Sequence, residues 1–155
     1  MRRRRAKVHP VLPDPRFNDV MVTKFVNNLM LQGKKNMAYK VFYTAMDRVE
    51  EKTQENSLEV WKKAVENITP QVEVRSRRVG GATFQIPVPV RDSRKLSMAM
   101  KWLILYARRR NEKSMGERLA NEIMAAAKQE GAAYKKKEDT HRMAESNKAF
   151  SHFRF

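Results

Sequence analysis

The chain contains no cysteine, which rules out a disulfide framework and thiolate chemistry and fits a reducing compartment. No apolar run approaches the roughly 20 residues that a membrane-spanning helix needs. The arginine-rich start is followed by no apolar segment, so it does not read as a signal peptide. Its histidines, His9, His141 and His152, stand far apart without ligand spacing to carboxylates, so no metal site is expected. Gly33-Lys34 lacks the earlier glycine and the following Ser/Thr of a phosphate-binding loop, since Asn28 and Lys35 stand there. Glu50-Glu51 and Glu138-Asp139 are sequence neighbours, which point in different directions on a helix and form no acid/base couple. No nucleophile elbow is present. The sequence thus argues for no enzyme and no cofactor.

Acidic residues are the other shortage. Seventeen Asp and Glu face 33 Lys and Arg in 155 residues, a formal net charge of +16. Self-repulsion of that size opposes compaction unless a polyanion neutralises it. Nucleic acid and an anionic membrane surface are the natural candidates. The membrane reading requires a strongly apolar helix face opposite a basic one, and the most basic helical segment has too little apolar surface.

The length suits one domain with extended arms, and 41% hydrophobic residues suffice for a core. Residues 1–17 read as an extended basic arm, detached from the core. Arg2, Arg3, Arg4, Arg5 and Lys7 precede Pro10, Pro13 and Pro15, and both repulsion and proline oppose helix there. Such a run suits an arm that orders on nucleic acid.

Residues 18–149 read as a helical domain. A first helix is expected from an Asp19 N-cap to Gln32, stopped at Gly33. Lys34 and Lys35 then either complement the helix end or contact phosphate. Asn36 is expected to cap a second helix to about Lys52, with Ala38, Val41, Phe42, Ala45, Met46 and Val49 on one face. Ser57 is expected to cap a third, from Leu58 to Ile68, with Trp61 in the core. A fourth runs from an Asp92 or Ser93 cap to Arg110 and ends in Arg108, Arg109 and Arg110, more cation than a helix end rewards, which favours an anion partner. Ser114 and Glu117 form a capping box for a fifth helix, stopped by Gly131. A sixth, about 133–149, carries Lys135, Lys136 and Lys137. Residues 150–155 read as an extended tail. The ten methionines read as core filler.

Between the third and fourth helices, residues 71–90 alternate with period two on both sides of Gly80-Gly81, a hairpin signal. Eight-residue arms span roughly 25 Å. A two-residue turn pairs Val74 with Pro87. An odd loop or bulge pairs Val74 with Val88 and Val72 with Val90, keeping one face apolar, and this register is expected. Arg75 and Arg77 then share the other face with Gln85 and Pro87. The prolines require a free edge on the second strand. The architecture is therefore mainly α: a single bundle of about six helices with one protruding hairpin. Scattered basic arms and a basic hairpin suit the shape of folded RNA better than a straight duplex, because no helix presents a clustered reading face. Sequence-independent, nucleoid-type DNA binding is the rival.

Three blocks carry a resemblance. The first is Met1-Arg-Arg-Arg-Arg-Ala. The second runs from Asp19 through Phe25-Val26 and Gly33-Lys34-Lys35 to Val41-Phe42 and Ala45. The third joins Val74-Arg-Ser-Arg-Arg-Val-Gly-Gly-Ala82 with Lys135-Lys-Lys-Glu-Asp139 and Met143-Ala-Glu-Ser-Asn147. Over essentially its whole length the chain resembles the bacterial small-subunit ribosomal protein seven family, with a shorter C-terminus than its longer members. The resemblance implies a six-helix bundle with a protruding hairpin and no enzymatic activity. It implies direct binding to the 3′ major domain of small-subunit ribosomal RNA and nucleation of head assembly in the cytoplasmic subunit. It implies a place near the exit-site tRNA and the mRNA path, ribosomal proteins nine and eleven as neighbours, and no homo-oligomer. Some members repress their own operon. The implied RNA-binding positions are Arg2 to Arg5, Lys7, Lys34, Lys35, Arg75, Arg77 and Arg78, to which the residue pattern adds Arg108, Arg109 and Arg110. Val79, Gly80, Gly81 and Ala82 at the hairpin tip, with Lys135, Lys136 and Lys137, would face the exit site.

Overall fold

The computed structural model describes residue 6 and residues 9–153. It is mainly helical, in the order α1 (Val20–Leu29), α2 (Lys35–Thr53), α3 (Ser57–Ile68), β1 (Val72–Val79), β2 (Ala82–Pro89), α4 (Asp92–Arg108), α5 (Met115–Ala127), α6 (Gly131–Ser146), then a short 3-10 helix (Lys148–Phe153). Helix α5 is the hub and packs on α2, α3, α4 and α6. An aromatic cluster fills the space between α1, α2 and α3. Phe25, Phe42 and Trp61 are fully buried, with ring centroids 5.4–5.5 Å apart and strongly inclined planes, the arrangement that ring quadrupoles favour.

Local chemistry explains most boundaries. Asp19 caps α1 by accepting from Met21 N, and Lys62 holds its carboxylate below the usual range. The Ser114–Glu117 capping box is present in both directions. Several boundaries differ from expectation: Arg91, not Asp92 or Ser93, stands at the N-cap of α4, which ends at Arg108 rather than Arg110, and α6 runs from Gly131 to Ser146. Helix α1 stops at Leu29, before Gln32 and Gly33, which take φ of 54° and 72° in the turn. Asn36 lies inside α2, which begins at Lys35. Asn56, one residue before Ser57, caps α3 by accepting from Leu58 N and Glu59 N. Helix α5 ends at Ala127, and Gly131 opens α6 at φ +88°, where a Cβ would stand 3.1 Å from Glu122 Oε1. The expected extended tail is instead helical from Lys148 to Phe153.

The hairpin register is a correction. Val79 faces Ala82 across a two-residue turn, so Val74 pairs with Pro87 and Val72 with Pro89. Gly80 and Gly81 take φ of 56° and 91°, the double positive φ of a turn whose twist matches the flanking strands. Arg75 and Arg77 therefore share a face with Phe84, Ile86 and Val88, not with Gln85 and Pro87. That face meets its apolar demand through Ile86, which is buried, and through Phe84, which packs on Phe150 and Phe153. The opposite face buries Pro87 beside half-buried Val74. Val90 N donates to Gln71 O, and the alternation from that pair turns the nitrogens of Pro87 and Pro89 away from β1. The free edge is thus present on β2. The hairpin leans on α6, and the 3-10 helix packs along its outer half, on Phe84 and Arg77.

The last residues of the expected arm belong to the core. Asp14 is 1% exposed. It accepts from Arg16 N, Phe17 N and Tyr43 Oη at 2.7–3.0 Å, and Phe17 packs edge-on against Phe42. Burial and this bond push the Tyr43 phenol well above its ordinary pKa. Removing residues 1–12 is expected to leave the melting temperature nearly unchanged. Asp14→Ala strands three donors and is expected to lower stability by about 2–3 kcal/mol, measured by urea unfolding.

Candidate nucleic-acid interface

The basic residues fall into two groups that sequence spacing does not separate. One group works inside the protein. Arg110 donates to Glu112 at 2.9 Å and to fully buried Glu122 at 2.7 Å. Glu122 also accepts from Ala133 N at 2.9 Å, so one carboxylate ties the end of α4 to α5 and to the start of α6. Arg75 and Arg94 both donate to Glu73, which is 7% exposed. Burial would raise the Glu73 pKa, and the two guanidinium hydrogen bonds outweigh it and hold it below the usual value. Arg77 donates to Phe153 O. Lys137 donates to Asn67 O at 2.8 Å and sits over the Tyr134 ring.

The other group faces outward. Lys34, Lys35, Arg78, Arg108, Arg109 and Lys135 are exposed, and Lys136 is half-buried. Arg109 lies over Tyr106 at 5.3 Å. Arg108 donates once, to Leu29 O at 3.1 Å, which joins the end of α4 to the end of α1 and holds the guanidinium beside the α1–α2 turn. Lys34 occupies the N-cap position of α2, and no side chain caps that helix. Gly80, Gly81 and Ala82 are exposed at the tip of the hairpin, while Val79 is half-buried. Arg2 to Arg5 and Lys7 lie outside the described residues.

Helix α4 connects these positions. At its start, exposed Arg94 joins the hairpin base through Glu73, and exposed Arg91 stands at the N-cap. Next comes a groove of about 290 Å³ lined by Lys24, Asn27 and Asn28 of α1 and Ser93, Leu96, Ser97 and Met100 of α4. At its far end Arg108 meets Lys34 across a second, apolar groove. Seventeen helical residues give a strip roughly 25 Å long. It carries cations at both ends and amide and hydroxyl groups between, which suits phosphates flanked by sugar and base edges. Among the described residues no group of three or more His, Asp or Glu could hold a metal ion, and no helix is long and apolar enough to cross a membrane.

A model of the family Ribosomal protein S7p/S5e matches residues 1–148. The chain belongs to this family. It is 70% identical to the small ribosomal subunit protein uS7 of Flavobacterium johnsoniae, across the whole of both chains. It is likewise 63% identical to uS7 of Cytophaga hutchinsonii and 56% identical to uS7 of a Sulfurovum strain, again across full lengths. The S7p/S5e family is one of structural ribosomal proteins, not of enzymes.

Within that family setting, the structure brings Lys34 and Arg108 together but turns Arg110 inward. Sequence reasoning grouped Arg108, Arg109 and Arg110 as one anion site. It missed Lys24, Asn27, Asn28, Arg91, Ser93, Arg94 and Ser97. The missed signal was the matched spacing of small polar residues on the facing sides of α1 and α4, legible only once the two helices are known to pack together.

Arg110→Ala leaves the buried Glu122 carboxylate without its cation. The expected loss is near the lower end of roughly 3–5 kcal/mol, because the arginine is partly exposed, whereas Arg109→Ala should stay within about 0.5 kcal/mol. Paired denaturation curves check this. The Glu112 pKa is lowered to about 2, mainly by the Asn121 hydrogen bond and then by Arg110. A carboxylate depressed in the folded state contributes stability above its unfolded pKa and loses it as pH falls towards the folded one. Stability should therefore drop between about pH 4.5 and pH 2, and Glu112→Gln should flatten that part of the curve.

Proposed function

We propose that this chain is a structural RNA-binding protein of the small ribosomal subunit, a primary binder of the 3′ major domain of its RNA that nucleates assembly of the head. On this reading it resides in the cytoplasmic subunit near the exit-site tRNA and the mRNA path. Ribosomal proteins nine and eleven are its neighbours there, and it acts as a single copy. The hairpin tip, Val79 to Ala82, and the lysines of α6 are the parts that reach the exit site. The arm residues Arg2 to Arg5 and Lys7 add phosphate contacts.

The observation that carries the reading is the strip along α1 and α4. It carries cations at both ends and hydrogen-bonding side chains between them over the length of a helix, and it begins beside a hairpin whose tip is exposed. Family membership and relatives named as small ribosomal subunit proteins support RNA as its partner. The acids Glu73 and Glu122 are buried and paired with the protein's own arginines, so neither presents a free negative charge at the surface.

A titration at fixed near-physiological salt should show a preference of several orders of magnitude for the 3′ major domain RNA over random duplex DNA and unrelated structured RNA. Equal affinity for all three would instead establish nucleoid-type, sequence-independent binding. Arg78→Ala removes an exposed cation from the hairpin. It should reduce the slope of log affinity against log salt by roughly 0.7–0.9 without changing the melting temperature.

A further inference from the structure

The second groove, at the end of the strip, does not need its apolar character for phosphate binding. It holds about 350 Å³ and is lined by Leu29, Leu31, Met37, Ala38, Val41 and Met115, with Lys34 and Arg108 at its rim. Leu31 is 62% exposed and Met37 56%. Large apolar side chains this open, side by side in a concavity, are unusual on a chain so polar elsewhere and mark a place that is covered in use.

We propose that this groove receives a single unstacked RNA base, with the phosphates of the same nucleotide and its neighbour on Lys34 and Arg108. The charge pattern selects the occupant. No acidic residue lines the groove, and its charged rim is cationic throughout. An apolar side chain from a protein would be satisfied by the floor but would leave the cations without partners. A nucleotide supplies both a flat apolar face and an adjoining anion. Single-stranded RNA is read by such splayed bases on apolar or aromatic platforms beside basic side chains. The geometry of the rim is also set in advance. Arg108 is tethered to Leu29 O, so that cation is held near the mouth. Met37 and Met115 supply adaptable thioethers that conform to a base of either size.

The inference rests on the RNA-binding reading above, and one titration separates the two. The full chain is titrated with the 3′ major domain of small-subunit ribosomal RNA over a series of salt concentrations. Two variants accompany it: Leu31→Ala with Met37→Ala, and Lys34→Ala. The apolar pair is expected to lose about tenfold in affinity at every salt concentration with an unchanged salt slope, since no phosphate contact is removed. The Lys34 variant is expected to lower the slope by roughly 0.7–0.9. Thermal melts of the variants should match the wild type, because Leu31 and Met37 are largely exposed. A wild type that prefers this RNA, with an apolar pair that binds equally well, overturns the base pocket and leaves the RNA-binding function standing. A wild type with no preference for this RNA overturns both.

Discussion

Buried carboxylates are the interactions on which this structure turns. Asp14, Glu73 and Glu122 are the acids removed from solvent among the described residues, and each sits where two segments must be joined. Asp14 fastens the entering chain to α2 through Tyr43. Glu73 joins the hairpin base to α4 through Arg94. Glu122 binds the α4–α5 connection through Arg110 and the first turn of α6 through Ala133 N. A buried charge is costly unless it is paired and hydrogen-bonded. Each of these is satisfied by at least two donors, so the same penalty that would unfold a mispaired chain makes these junctions specific.

The scarcity of acids gives this arrangement its functional consequence. In a chain of net charge +16, every carboxylate spent inside is one fewer to screen the surface. Arginines that clamp Glu73 and Glu122 are neutralised locally, while Lys34, Arg78, Arg91 and Arg108 keep their field. Repulsion among the outward cations is the cost of this arrangement. The closely packed Phe25–Phe42–Trp61 cluster and the α5 hub oppose it in the free protein, and a polyanion relieves it in the complex. Folding and binding are thus coupled through charge rather than through a shared cavity.

The fold was legible where one local rule acted alone. The Asp19 cap, the Ser114–Glu117 box and the helical stripe through Phe42 and Val49 each follow from side chains within a turn of one another. Legibility failed where two segments compete for the same group. The hairpin register was misjudged because the two-residue turn sets Val74 opposite Pro87, and a proline was not expected on an apolar face. In the fold, Glu73 is buried under two arginines from different elements, and Pro87 is buried in its own right. The cluster from Arg108 to Arg110 was misjudged for the same reason. Its three members look alike in sequence, yet Arg110 answers a glutamate 12 residues away. The strip along α1 and α4 was invisible because it is a property of two helices packed together.

On the proposed reading, this division between cations paired inside the fold and cations facing outward also accounts for how a mainly helical protein recognises an irregular RNA without a reading helix. A helix inserted in a groove needs its recognition residues on one face. Here the polar groups come from two facing helices, and the end of one is tied to the other by Arg108 on Leu29 O. That bond makes the distance between the polar groove and the apolar groove a fixed property of the bundle. Two RNA features can then be read together only if their separation matches it. Shape, rather than base sequence, becomes the primary selector, and a rigid core becomes a condition of specificity as well as of stability.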